Sequence, residues 1–489
     1  MKRVAAAAAA LIVACPAPAA ELALVLRDEV GLRAAPGERA RPHAFLWQGE
    51  IVEVRGEAPG FLRVYDYRRE RGGYVIADRV RRLSLGADAA PELLAVLRFL
   101  RDAPGSEALG LGFAAAYLEA APAETLNGPA GVDALDAIGA LAGRLAARAS
   151  AGVTGRVAQR ALAAHLDVAA RHGVQLVSFE KQGRLRFCYD GAAYRRVLAM
   201  PARSAQQARA ALALTNPACI RDDLGPAGRR QLDEWRAQVL DKVDTGHLSA
   251  LDRNRVLIRS AAVWAGLAYR RAREGADGRS AAARALQALA GVDPSALTRR
   301  DREQFSASAL RVGASRWALS AAPPAAVPGE RPHVVTRAEV TGETCVFLVD
   351  GKHGPTAPLA KRCTYGLAWI ESQTLNREGN ALALSVQQTD AWLELWVFRK
   401  SARGWTVGVL PPAATTPGLG YAEFAGWLPG GIRMLVAREA QGNGRRERSF
   451  EVLRLDTLAP VRHASRPAAL AEFRRWQDPA WKARTLSLR

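Results

Sequence analysis

Leu22-Ala23-Leu24-Val25-Leu26, Ile51-Val52-Glu53-Val54 and Phe61-Leu62-Arg63-Val64-Tyr65 are the three runs on which the reading of this chain turns. Their apolar residues recur with a period of two, the pattern of pleated strands buried on one side. Turn-forming residues separate them: Ala35-Pro36-Gly37, Gln48-Gly49-Glu50, Ala58-Pro59-Gly60 and Gly72-Gly73. Several short strands at this close spacing predict a small β-barrel over residues 22–84.

The order of these signals carries more than any one of them. Leu32-Arg33-Ala34-Ala35-Pro36-Gly37 is followed by Trp47-Gln48-Gly49-Glu50-Ile51-Val52-Glu53-Val54. Then come Gly60-Phe61-Leu62-Arg63-Val64 and Gly73-Tyr74-Val75. The four motifs in this order resemble the bacterial SH3-like domain family, over roughly an eighth of the chain. Tyr74 stands where that family more often has Trp, and Val30-Gly31 precedes the first motif where Asn is usual. The resemblance implies a binding module for cell-wall peptides, a partner chain or the protein's own domains. Its candidate ligand-binding residues are Trp47, Tyr65 and Tyr74, with Tyr67 a further aromatic, and Arg33 and Arg63 nearby to meet carboxylates. The competing reading is that the rings fill the core of a tiny barrel, which needs every large side chain it has.

Upstream, Lys2 and Arg3 precede an apolar stretch, Val4 to Ala14, and Ala17-Pro18-Ala19 supplies small residues for cleavage. Residues 1–20 are therefore expected to be a signal peptide, and the mature chain to be periplasmic or at the cell surface. Ile12-Val13-Ala14-Cys15 also resembles the lipobox of bacterial lipoproteins, which would make Cys15 a lipid anchor instead. Four more cysteines follow, and an even number in an exported chain implies disulfides. Proximity favours Cys188–Cys219 and Cys345–Cys363. None lies in a Cys-x-x-Cys redox motif, and none has zinc-site spacing to a histidine.

The chain has 489 residues, too many for one core, and 49% of them are apolar, so it is globular rather than disordered. Its formal charge is +20, which draws anions over several ångströms. Nucleic acid is the common partner of so basic a chain, but export argues against it. Anionic envelope polymers, lipid phosphates and peptide carboxylates fit better, and a merely solvated basic surface is the plain alternative.

From residue 91 to 320 the period becomes that of helices, through Leu93, Leu94, Leu97 and Leu100, then Leu135, Ile138, Leu141 and Leu145. One hairpin interrupts it, Val174 to Phe179 and Leu185 to Tyr189 around Lys181-Gln182-Gly183. Trp235, Trp264 and Trp317 fall at apolar-face positions and are expected in the core. Asp222-Asp223 reads as a capping turn before Pro226. Residues 321–332, rich in Pro and Ala, form the clearest linker.

Strand periodicity returns over 333–489. Leu367–Glu371, Ala381–Val386, Leu393–Phe398 and Trp405–Leu410 make one set of four strands. Tyr421–Trp427, Arg433–Ala437, Phe450–Leu455 and Val461–Ala464 make a second. The rhythm resembles β-propeller blades. Thr344–Val349 and Cys363 suggest a partial third unit, Thr485–Leu488 a terminal strand, and Trp476 and Trp481 a clamp on the end of the chain or a ligand platform. The expected fold is thus multi-domain α and β: a small SH3-like barrel, a mostly helical domain with one hairpin, and an antiparallel all-β domain of two to three blade-like units.

No catalytic constellation stands out. The seven histidines give no His-x-x-x-His pairing, and no Gly-x-Ser-x-Gly elbow occurs. Glu371-Ser372 has the residue types of a lytic transglycosylase pair but sits in strand-like text without the Gly-Leu-Met-Gln that should follow. The expectation is a non-catalytic envelope binding or scaffold protein with no cofactor or metal, contacting a peptidoglycan peptide or an envelope protein. A cell-wall hydrolase of an unrecognised type and a structural subunit of an envelope complex are the alternatives.

Overall fold

The computed structural model describes residues 21–320, 331–340, 342–413, 418–442 and 445–484. The expected signal peptide with Cys15, residues 321–330 of the linker and the Thr485–Leu488 strand lie outside the described residues. The chain forms two compact units, residues 1–206 with 218–221, and residues 207–217 with 222–489.

The first unit opens with seven strands: β1 (Leu22–Val25), β2 (Val30–Arg33), β3 (Pro42–Leu46), β4 (Ile51–Ala58), β5 (Phe61–Asp66), β6 (Arg71–Ile76) and β7 (Val80–Leu83). They pair in the order β3-β2-β6-β5-β4-β1-β7, all antiparallel. Alternate residues of every strand face one core: Ala23, Val25, Val30, Leu32, Leu46, Val52, Val54, Leu62, Val64, Val75 and Val80. The expected closed barrel is corrected here. The strand path is open, with no pairing between β3 and β7 among the described residues. β3 begins at Pro42, which lacks the N–H that a further ladder would need at that point.

Helices follow: α1 (Ala90–Arg101), α2 (Glu107–Ala120), α3 (Ala123–Leu126), α4 (Pro129–Ala151) and α5 (Arg156–Arg171). After the hairpin β8 (Leu176–Lys181) and β9 (Arg184–Tyr189) comes α6 (Ala192–Ala199), and then α7 (Ser204–Leu214), which from Gln207 on belongs to the second unit. The 23-residue α4 starts with Pro129 in its first turn, where a missing N–H costs nothing, and ends at Gly152 with φ +71°. The hairpin exposes Val177 and Leu185, so its own burial holds it weakly. The Cys188–Cys219 disulfide and a 2.6 Å hydrogen bond from Lys181 Nζ to the Ile220 carbonyl tie it down instead.

The turn between β3 and β4 docks the sheet on the helices of the same unit. Gly49 has φ +86°, and a Cβ there would lie 2.2 Å from the Ala108 carbonyl oxygen of α2. Only glycine satisfies both conditions. Beside it Glu50, 2% exposed, accepts from Arg69 at 3.0 Å and from Arg171 of α5 at 3.0 Å. His172 Nε2 meets the Gly49 carbonyl at 3.0 Å, and His165 Nε2 meets Asp28 at 2.8 Å.

The second unit has four long helices, α8 (Pro226–Asp241), α9 (Ala250–Arg273), α10 (Arg279–Ala290) and α11 (Arg299–Ser315). Ser249 and Thr298 cap α9 and α11 by accepting from the backbone N–H groups of Asp252 and Asp301. The N-cap of α8 is Gly225, without a side-chain hydrogen bond, and Asp222-Asp223 form a turn just before it. Of the three helical tryptophans, Trp264 is buried and Trp317 half-buried, but Trp235 is 36% exposed, which corrects its placement in the core.

The strands of this unit are β10 (His333–Val340), β11 (Glu343–Val349), β12 (Ala360–Thr364), β13 (Leu367–Leu375), β14 (Ala381–Thr389), β15 (Trp392–Ser401) and β16 (Gly404–Leu410). They continue as β17 (Leu419–Trp427), β18 (Arg433–Gly442), β19 (Arg445–Arg454) and β20 (Pro460–Ala464), before two short helices, α12 (Ala471–Trp476) and α13 (Pro479–Arg484). The blade-like sets correspond to β13–β16 and β17–β20, and β10–β12 is the partial third, stapled across β11 and β12 by Cys345–Cys363.

The β10–β12 sheet and the two halves of a single eight-stranded sheet, β13–β16 and β17–β20, stack as three layers. On β14, Leu382, Leu384 and Val386 face Val334, Val346 and Leu348 of the β10–β12 sheet. Ala381 and Ala383 face the other way, onto Ala422, Met434 and Val436. This double coverage explains why β14 reads as an unbroken apolar run rather than an alternating one. A parallel contact of two residue pairs, Trp392 with Gly420 and Leu393 with Tyr421, joins the second and third layers edge to edge, the one departure from antiparallel pairing among the described residues. The far face of β17–β19 is covered by Phe473 of α12 and Trp481 of α13, packed on Phe450 and Val452. Trp481 is thus the expected clamp, whereas Trp476 is 39% exposed.

Candidate binding face

Strand register decides which of the sequence-nominated residues share a surface. Arg33 on β2 pairs with Tyr74 on β6, and Tyr74 pairs with Arg63 on β5. Directly opposed residues of an antiparallel sheet point to the same side. Arg33, Tyr74 and Arg63 therefore form one row across three strands, on the face opposite the core residues Val64 and Val75. Tyr65, two residues along β5 from Arg63, pairs with Gly72 and Glu53 on the same face. Tyr65 and Tyr74 are diagonal neighbours there, at a spacing that aromatic side chains bridge.

Around Tyr65 lies a polar cluster that the sequence reading did not assemble. The Arg55 guanidinium sits 3.8 Å above the Tyr65 ring centroid, and Tyr67 meets Tyr65 edge-on at 5.0 Å. Glu53 accepts from Arg55 Nε at 2.7 Å and from the Tyr67 hydroxyl at 3.0 Å. Those hydrogen bonds, the Arg55 one foremost, hold the Glu53 carboxyl below its ordinary range. Arg55 shares the outer face with Glu53 by strand alternation and is the extra residue of a bulge in β4 between Val54 and Gly56. The visible signal was the Glu53/Arg55 spacing of two; the bulge left none.

The nominated residues divide by how much bonding capacity they keep. Among the described residues, Arg63 and the hydroxyls of Tyr65 and Tyr74 have no hydrogen-bond partner. Tyr65 and Tyr74 are half-buried and Arg63 is exposed, so the rings are anchored at their base and open at their tips. Gly72 opposite Tyr65 and Gly56 opposite Arg63 carry no side chain, which leaves shallow ground beside both. Arg33 is committed elsewhere: Nη1 donates to the carbonyls of Glu38 and Ala40 and holds the loop after β2. Trp47 is not brought to this face. It follows β3 in the turn that docks on α2 and α5, and its N–H donates to Glu50 at 3.2 Å.

The other nominations resolve as structural. Both cysteine pairs are disulfides, with Cα atoms 5.8 Å apart for Cys188–Cys219 and 3.9 Å for Cys345–Cys363. Glu339 lies close to Cys345 and Cys363, but those sulfurs are bonded to each other and offer no thiolate to a metal. Ser372 fills a bulge of β13, donating to the Trp369 carbonyl at 2.6 Å and accepting from the Ser385 N–H at 2.8 Å. Its hydroxyl therefore serves the backbone beside Glu371. The disulfides fit an oxidising location outside the cytoplasm, and no helix among the described residues is long and apolar enough to cross a membrane. Compared with protein-family models, curated proteins and solved structures, the chain matches none.

Proposed function

We propose that this is an exported envelope protein that acts as a non-catalytic binding or scaffold module. Its N-terminal sheet is read as SH3-like, and its outer face takes a carboxylate-bearing peptide, from the cell wall or from a partner protein. One observation carries the reading: Arg63 and the hydroxyls of Tyr65 and Tyr74 share a face and hold their bonding capacity in reserve. A guanidinium offers a carboxylate two parallel donors, and tyrosines add flat contact area with a polar tip. The docking turn at Gly49 and Glu50 leaves that face uncommitted, since it uses the end of the sheet for the helices of the same unit.

Retention of the full mature chain on purified sacculi and on immobilised envelope extract tests the proposal. Wild-type protein is expected to be retained, and Tyr65→Ala/Tyr74→Ala and Arg63→Ala to lose about tenfold or more of that retention at unchanged melting temperature, as expected of central contact residues. Equal retention of all three proteins would remove the face from consideration. Clearing of peptidoglycan in a gel would replace binding by hydrolysis.

A further inference from the structure

A second, separate surface of the molecule is built to hold negative charge. At one end of the stacked sheets, the close of β15, the start of β16, the β17–β18 turn and the β19–β20 turn enclose a cleft of about 810 Å³. That is within the roughly 300–1,000 Å³ of small-molecule sites. Five cationic side chains line it, Arg399, Lys400, Arg433, Arg454 and Arg462, against one lining carboxylate, Asp456.

The ion pairs do not cancel this charge. Arg454 is spent on Asp456, with Nε at 3.0 Å, and Arg462 on Glu472 at 2.9 Å. Among the described residues Arg399 donates only to the backbone carbonyls of Leu455 and Asp456, at 2.9 and 2.6 Å, which fixes its guanidinium without neutralising it. Lys400 is exposed and has no carboxylate partner among the described residues. Arg433 is half-buried, its charge acts on Glu472 alongside Arg462 but without a direct ion pair among the described residues, and its Nε is buried without any hydrogen-bond partner. Five cations less Asp456 and Glu472 leave three positive charges around one cleft. A buried guanidinium nitrogen without an acceptor is costly and is normally satisfied.

The lip of the same cleft is apolar. Ile432, in the β17–β18 turn, is 64% exposed and Val461, at the start of β20, is 47% exposed, with Leu455 between the charged positions in the lining. Exposed β-branched side chains beside an unneutralised basic cleft suit a ligand with a charged head and an apolar remainder.

We infer that this cleft binds a phosphorylated amphiphile, its dianionic phosphate or pyrophosphate head on Arg399, Lys400 and Arg433 and its apolar part on Ile432 and Val461. Phosphate is preferred to a single carboxylate because a net three positive charges surround one small site. A phosphate head supplies two or more negative charges there, with acceptor oxygens that match guanidinium forks. The chemistry is shared by a membrane lipid and a soluble phosphate ester, and the test separates them.

Titration calorimetry of the full mature chain at about 0.15 M salt, where long-range charge effects are screened, would use inorganic pyrophosphate and monododecyl phosphate below its micelle concentration. Sedimentation with vesicles containing phosphatidic acid forms the third arm. Dodecyl phosphate is expected to bind more tightly than pyrophosphate. Lys400→Gln and Arg433→Gln should each weaken both by about tenfold, the loss of one charge-assisted contact. Ile432→Ser should erase the advantage of the dodecyl chain and leave pyrophosphate unaffected. Lys400 is exposed, so its variant guards against a folding defect in Arg433→Gln. Vesicle binding with the same Lys400 and Arg433 dependence assigns the ligand to the membrane, and its absence alongside dodecyl phosphate binding assigns a soluble ester. Affinities that ignore Lys400 and Arg433, or no binding of any probe, would overturn the inference, and a pyrophosphate affinity equal to that of dodecyl phosphate would remove its apolar half.

Discussion

Glu423 is 1% exposed and ionisable, a combination that folding tolerates only with a partner. It has two: Arg316, itself 7% exposed, and the Trp481 indole N–H at 3.0 Å. Beside it the Tyr421 hydroxyl donates to Glu439 at 2.9 Å, and burial, with both carboxylates near, pushes that phenol well above its usual range. Arg316→Met would strand the Glu423 charge and should destabilise the second unit by about 3–5 kcal/mol in urea unfolding. Arg316→Met combined with Glu423→Leu should recover most of that loss, because the stranded charge, more than the lost attraction, sets the cost.

The docking turn of the first unit makes a pH prediction at the same scale. Burial pushes the His172 imidazole below its ordinary 6.5, with the Gly49 carbonyl opposing this only in part. A base with a depressed folded pKa binds fewer protons folded than unfolded, so its contribution is full above 6.5 and is lost as pH falls through the folded value. Asp28 adds a second step lower down. Burial would raise its carboxyl, but hydrogen bonding to His165, that ring's charge and the Gln48 N–H leave it below 3.8. The melting temperature of the first unit should therefore fall below about pH 6.5 and again below about pH 4. His172→Gln, whose amide can still donate to Gly49, should remove the upper step and spare the lower.

At the scale of elements, what the sequence disclosed follows from how strongly each segment is periodic. The strands β13–β19 were readable because each alternates, or runs apolar, for five residues or more, whereas β20 was read only as the last member of a repeated set of four. β3 and β7 were not, since Pro42 opens one and Arg81-Arg82 occupies the middle of the other, leaving too few apolar positions to show a period. α12 and α13 have six residues each, less than two turns, and Trp476 and Trp481 stood out there only as rings. The candidate face was half visible. Tyr65, Tyr74 and Arg63 were nominated by type, but their alignment depends on β6 lying between β2 and β5, which is a matter of register that composition does not carry. Trp47 was nominated on the same grounds and went to the docking turn.

The hairpin β8–β9 gives the element-scale prediction. With Val177 and Leu185 in solvent, it is held from outside, by Cys188–Cys219, which spans 31 residues of sequence, by Lys181 on the Ile220 carbonyl, and by the Ser150 hydroxyl of α4, which accepts from the Phe187 N–H at 2.9 Å. Cys188→Ser/Cys219→Ser should cost about 2–4 kcal/mol on the chain-entropy account. Hydrogen exchange should show the loss first in Leu176–Tyr189, with α4 still protected. A uniform loss across the unit would mean that the bond supports the helices rather than the hairpin.

For the whole molecule, two compact cores in one chain imply unfolding that is not two-state. Calorimetry should give an enthalpy exceeding the van 't Hoff value, and Cys188→Ser/Cys219→Ser and Arg316→Met should each move a different component. The charge of +20 makes a second whole-molecule prediction. Retention on sacculi should weaken as salt rises from about 50 to 300 mM but should not vanish, since screening reduces long-range attraction more than direct contacts to Tyr65 and Tyr74.

The short helices α12 and α13 have one further consequence. Stacked sheets have no intrinsic length: any layer with a greasy outer side invites another, from the same chain or from a neighbouring molecule. Phe473 and Trp481 act as a bookend, so that the third layer ends the shelf instead of extending it. A protein whose bookend is pried loose, by Phe473→Asp for instance, should go on acquiring layers from other copies and leave solution as filaments or larger assemblies.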